Sequence, residues 1–174
     1  LPYATDTIQC DAVAAESGRR AWEAGARVVV LPTVPFGVET TQLDLKLALN
    51  VNPTTQAALL GDLASAIAGQ GIRKLVILNG HGGNELKPFL RELHHRTKVF
   101  VCLCDWFRMA TDVYPRIFEK PGEHADEVET SLGLAFFPDL LKPELADSGV
   151  AKPTRFDGVN RGWITMSRPW HLAT

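Results

Sequence analysis

The stretch Leu75–Asn84, Leu-Val-Ile-Leu-Asn-Gly-His-Gly-Gly-Asn, constrains what this chain can fold into more than any other segment. Its first four residues are apolar, with β-branched side chains at Val76 and Ile77, the pattern of a strand buried in a parallel sheet. The character then changes at once: glycines and asparagines surround His81, and a helix-like segment follows from Glu85. Open α/β sheets place their chemistry at the carboxyl ends of parallel strands. The stretch therefore reads as a strand that delivers a histidine to a site.

The remainder of the chain fits a layered α/β domain with a mostly parallel central sheet. A helix is expected from Asp6 to about Ala24, with Thr5 or Asp6 at its N-cap and Gly25 at its end. Arg27–Leu31 reads as a buried strand, broken by Pro32, Pro35 and Gly37. Val38–Asn52 has mixed periodicity and reads as a long excursion that covers a site or makes a subunit contact. Pro53 suits a first helical turn, and Thr54–Gln70 carries Ala57, Leu60, Ala64, Ile67 and Ala68 at helical spacing. A helix over Glu85–Thr97 and a strand over Val99–Cys104 continue the alternation, with right-handed crossovers expected. Further on, the expectations are a short helix within Trp106–Glu119, a turn at Lys120-Pro121-Gly122 and a helix from Ala125 to about Phe137. The tail holds Gly149 among its breakers, and Trp163–Ser167 alternates like an edge strand.

Several partner classes are excluded. A net charge of -2 gives no basic footprint for nucleic acid. No apolar run approaches a membrane span, and no signal peptide is evident. Cys10, Cys102 and Cys104 lack the spacing of a disulfide framework or zinc knuckle, and a reducing cytoplasm fits them best. The 174 residues suit one domain, and because the chain opens at Leu1 without methionine it is expected to be truncated or incompletely ordered at both ends.

Three constellations can carry chemistry. In Asn79-Gly-His-Gly-Gly-Asn84 the glycines let backbone approach a ligand closely, and His81 offers an imidazole nitrogen to a metal. A structural strand-to-helix turn and a phosphate cradle compete with that reading, although neither G-x-G-x-x-G nor a P-loop lysine is present. Gly122-Glu-His-Ala-Asp-Glu-Val-Glu-Thr-Ser131 gathers His124 with Glu123, Asp126, Glu127 and Glu129 at a helix start. Acidic residues there complement the helix dipole, and His124 could cap the helix. If His124 and Glu129 reach one site, however, His124 must lie in the loop before the helix. In Leu1-Pro-Tyr-Ala-Thr-Asp6, an N-cap aspartate is the default reading of Asp6.

Together these segments resemble the creatininase family, the creatinine amidohydrolases and their relatives. The family pattern joins Glu-x-His-Gly-x-His-Leu-Pro-x-x-Thr-Asp, Asn-Gly-His and His-x-x-x-x-Glu-Thr-Ser. Leu1-Pro2-Tyr3-Ala4-Thr5-Asp6, Asn79-Gly80-His81 and His124–Ser131 match in order and spacing. The resemblance implies two divalent ions per subunit, Zn, Mn or Fe, with Asp6 bridging both, His81 on one and Glu129 on the other. It implies that His124 moves protons. The family's first Glu and His ligands would precede Leu1. The resemblance also implies a homo-oligomer, commonly a hexamer.

The activity implied is hydrolysis of a C–N amide bond in a small cyclic amide or formamide by metal-activated water. Gly82, Gly83, Asn84 and Trp106 are the expected substrate contacts, the glycine N–H groups facing an oxyanion and Trp106 lining a pocket. Creatinine itself is not favoured, because Gly82 and Gly83 stand where bulky and acidic residues are expected in creatinine-cleaving members. The glycine version is similar to that of the wider family, which includes deformylases and a peptidase of a cofactor-maturation pathway. A non-catalytic α/β metal- or ligand-binding module is the alternative from another class.

Overall fold

Two parallel strands set the frame. The computed structural model describes residues 1–120, 122, 124–146 and 153–167; Pro121, Glu123 and Gly149 lie outside the described residues. Strand β1 (Lys74–Asn79) pairs in parallel with β2 (Phe100–Asp105), in a register that sets Lys74 beside Phe100 and Asn79 beside Asp105. The apolar run at Leu75–Leu78 and the Val-Cys-Leu-Cys run of β2 thus end together, and the polar pair Asn79 and Asp105 marks their shared carboxyl edge.

Helices flank the pair. Helix α1 (Thr5–Glu23) contacts β1, and α3 (Lys87–His94) packs on β2. Between α1 and β1 in sequence lies α2 (Pro53–Gly69), with Pro53 in its first turn as the fixed φ of proline favours. After β2 come the 3₁₀ turn Trp106–Arg108, the short α4 (Tyr114–Ile117), α5 (Glu127–Phe136) and the single-turn α6 (Asp157–Asn160). Cys10 from α1, Trp106 and Val128 from α5 form a buried cluster, with Leu78 and Phe107 packed against it. This cluster binds α1 and α5 to the end of β1, which sets where their first turns lie. No helix among the described residues is long and apolar enough to cross a membrane.

Four expectations need correction. Arg27–Leu31 forms no strand: none of its backbone groups bonds to another backbone group among the described residues, and Val29 is 80% exposed. A strand exists only with a ladder partner, and β-branched composition cannot supply one. Trp163–Ser167 is no edge strand either, because Trp163 and Ile164 donate their N–H groups back to the Gly158 carbonyl. The helix expected over Glu85–Thr97 is shortened to α3, since Asn84 and Leu86 are tied into the turn after β1. Finally, α1 begins after Ala4, whose φ of 59° is left-handed and which makes no side-chain cap; Asp6 lies in the first turn instead.

Candidate metal centre

The turn after β1 is organised by its first residue. Asn79 is 4% exposed and uses its whole amide: Nδ2 donates to Asp105 Oδ1 at 2.8 Å and to the His81 carbonyl at 3.0 Å. Its Oδ1 accepts from the His81 N–H at 3.3 Å and from Asn84 Nδ2 at 3.0 Å. A buried amide with every site engaged fixes the turn and hence the origin of the His81 side chain. Asn84 extends the network, its Oδ1 accepting from the Val38 N–H at 3.0 Å and from Gln56 Nε2 at 2.9 Å. The excursion after residue 37 is thereby docked onto the histidine turn.

Of the two glycines after His81, only Gly83 makes that docking possible. A Cβ on Gly83 would stand 2.6 Å from His81 Cε1 and 2.6 Å from the Val38 carbonyl oxygen, whereas a Cβ on Gly82 would meet nothing. Gly83 therefore backs the imidazole, and Gly82 borders open space.

Around His81 the structure gathers acidic groups from distant parts of the chain. Asp6, Glu39 and His81 each offer a donor atom, and these atoms lie within 4.8 Å of one another. Glu39 Oε1 is 3.3 Å from His81 Nδ1. The ring of His124 lies 6.2 Å from that of His81, and Asp6 feels the charge of both histidines. Glu129 feels the charge of Asp6.

Glu129 is held by several local features. Asp126, with extended backbone, caps α5 by accepting the Glu129 N–H at 2.9 Å. Glu129 Oε2 accepts the Ala125 N–H at 2.6 Å, and its carbonyl accepts Gln9 Nε2 at 2.8 Å from the fully buried Gln9. Ala125 takes a left-handed φ of 49°, a strained choice for alanine of the kind found beside functional sites.

The electrostatics favour a cation. Burial raises the Asp6 carboxyl above its ordinary range, opposed by His81 and His124. Glu39 is raised by burial and by Asp6, against the pull of His81. Glu129 is pushed up to about 7, first by burial, with Asp6 and Asp126 adding to it and the Ala125 hydrogen bond opposing. Carboxylates that desolvation and mutual repulsion make costly to ionise are relieved by a divalent ion among them. An imidazole with carboxylate oxygens is also a donor set that zinc or manganese accepts.

Asp6 and His81 are brought together with the His124 ring beside them, whereas Glu129 is not in their donor group among the described residues and is linked to it through the charge of Asp6. His124 lies in the loop before α5, and Asp126 rather than His124 caps that helix. Trp106 and Asn84, the other expected contacts, are both engaged within the protein. Trp106 is 6% exposed, folded under Gly80 by the 3₁₀ turn, and its Nε1 has no partner among the described residues. The Asn84 amide is engaged within the protein. Sequence reasoning missed Glu39 altogether. Its only signal is position: a carboxylate two residues past Gly37, in a loop that follows an apolar run, where α/β proteins place functional groups.

Residues 1–174 match the model of the Creatininase family, described as creatinine amidohydrolase. The structure of a candidate creatinine amidohydrolase from Bacteroides fragilis is similar at a TM-score of 0.90 and 33% identity, over 98% of this chain and 68% of that one. A structure named creatininase Mn is similar at a TM-score of 0.65 and 26% identity, over 82% of this chain and 63% of its own. The 3-dehydro-scyllo-inosose hydrolase of Thermotoga maritima is 35% identical over 107 residues, 54% of this chain and 34% of that protein. The chain thus spans about a third of the length of that curated relative.

Proposed function

This chain belongs to the creatininase family, and on that premise we propose that it hydrolyses the C–N bond of a small cyclic amide or formamide using two divalent cations. Asp6 would bridge the ions, with His81 on one and Glu129 on the other. The observation that carries this reading is the convergence of Asp6 and His81, with their donor atoms within 4.8 Å, beside the ring of His124 at 6.2 Å from that of His81.

Divalent cations held there would polarise the scissile carbonyl and supply a water activated near neutral pH. The protein's own groups do the rest. His124 delivers a proton to the departing nitrogen, a task suited to a side chain that titrates near neutrality. The N–H groups of Gly82 and Gly83, which bond to no backbone carbonyl among the described residues, face the developing oxyanion. Asn79 holds the His81 turn, and Gln9, Ala125 and Asp126 hold Glu129, so the donors are set before substrate arrives.

Metal analysis of the full-length protein, paired with a screen of cyclic amides and formamides, tests the proposal. About two Zn, Mn or Fe ions per chain and metal-dependent amide cleavage are expected. A folded protein that takes up none of these metals, and hydrolyses none of the compounds when they are supplied, would refute it.

The identity with the Thermotoga hydrolase supports a second reading, hydrolysis of the C–C bond beside the carbonyl of a cyclic ketone, with the departing carbon taking up a proton, in place of an amide C–N bond. The same carbonyl-polarising site serves either bond, so an inosose belongs in the same screen. Cleavage of the inosose with no amide turned over would select this reading.

A further inference from the structure

We propose that Glu39 is the positioning residue of His81, a carboxylate that holds the imidazole in the tautomer and orientation a metal requires. The inference rests on the metal-binding reading above and adds to it a residue from the excursion.

His81 Nδ1 is buried and has no aligned hydrogen-bond partner, yet Glu39 Oε1 stands 3.3 Å from it. A neutral imidazole carries one proton. When Nε2 gives its lone pair to a cation, Nδ1 keeps that proton, and a buried N–H without an acceptor costs the full desolvation of the group. Glu39 is the charged acceptor at hand, and a modest turn of the ring converts the approach into a charge-assisted hydrogen bond. Contacts of this kind are often long in a metal-free site and tighten on loading.

Glu39 is held there by backbone. Its own N–H donates to Asn50 Oδ1 at 2.8 Å, and the N–H of Val38 donates to Asn84 Oδ1 at 3.0 Å. Val51 closes the loop by donating to the Gly37 carbonyl at 2.8 Å. A Cβ on Gly37 would lie 2.8 Å from Asn84 Oδ1, so only glycine lets the loop approach the histidine turn. Two asparagine side chains thus aim one half-buried carboxylate at one ring nitrogen. Glu39 also lies within the donor cluster and could itself be a ligand. It faces the buried nitrogen, however, which leaves Nε2 to the ion and assigns Glu39 to the other side of the ring.

Zn²⁺ titration against a chelator and ¹⁵N NMR of the histidine ring test the assignment. Glu39→Gln should weaken Zn²⁺ binding by about 10–100-fold with the number of ions per chain unchanged, and Glu39→Asp should recover part of the loss. In metal-free protein the His81 ring should be mainly the Nδ1–H tautomer, and Glu39→Ala should shift it toward Nε2–H. Wild-type affinity in Glu39→Gln would overturn the proposal, as would the loss of one ion per chain, which would make Glu39 a ligand. A wild-type protein that binds no Zn²⁺ would refute the metal reading alone, because the tautomer measurement would still report the pairing.

Discussion

The imidazole rings of His81 and His124 lie 6.2 Å apart between centroids, their planes tilted by 44°. One comes from the turn after β1 and the other from the loop before α5, and Asp6 at the head of α1 is under the influence of both. In the proposed function these two histidines divide the work, His81 gripping a cation and His124 carrying a proton.

That division predicts the outcome of His124→Ala. Removing a general acid costs about 10²–10⁴-fold in turnover, so kcat should fall by that factor while elemental analysis finds the wild-type metal content. Loss of metal in this variant would identify His124 as a ligand instead.

Adjacent glycines should respond differently. Gly83→Ala places a methyl 2.6 Å from His81 Cε1 and from the Val38 carbonyl oxygen, an overpacking expected to cost about 1–3 kcal/mol and to weaken metal binding. Gly82→Ala meets nothing within 4 Å and should stay within about 0.5 kcal/mol of wild type. Urea unfolding of both variants, monitored by circular dichroism, makes the comparison.

Gly80 should depend on its neighbour in α1. A Cβ at Gly80 would collide with Cys10 Sγ and lie 3.2 Å from the Asp6 carbonyl oxygen. Gly80→Ala is therefore expected to be destabilising, and Cys10→Ala, by removing the sulfur, should recover part of that loss in the double variant. Strict additivity of the two changes would show that the contact is unimportant.

Without metal, stability should fall as pH rises. Glu129 is raised from 4.5 to about 7 by burial, and Asp6 and Glu39 are raised as well. Groups that bind protons more tightly when folded contribute stability that is full below their unfolded pKa and is lost as pH rises through the folded one. The metal-free protein should thus melt lower at pH 8 than at pH 5, and Zn²⁺ should raise the pH 8 value most because it takes the place of the proton. A melting temperature that climbs steadily from pH 5 to 8 without metal would contradict this.

Local patterns were readable where local chemistry decides the structure. Helix α2 follows from Pro53 and the spacing of its alanines and leucines, and β1 and β2 follow from apolar runs ending in polar residues. Arg27–Leu31 has as strong a strand composition as β1, yet strand pairing is a long-range event that composition does not report. Glu39 was not legible for a related reason. Its importance comes from Asn50 and Asn84, 11 and 45 residues farther along the chain, which turn an ordinary loop glutamate toward His81.

By itself the sequence determined the parallel α/β character, the glycine-lined histidine turn and the residue types a divalent cation needs, because these depend on hydrophobic periodicity, glycine and side-chain chemistry close by in the chain. Tertiary structure alone decided which carboxylates meet His81. Packing α1 and α5 against the Cys10, Trp106 and Val128 cluster carries Asp6 to the end of β1 and Glu129 into the field of Asp6, and docking through Asn84 brings Glu39 to the imidazole. Such encounters are fixed by the close packing of whole elements, which no local stretch encodes.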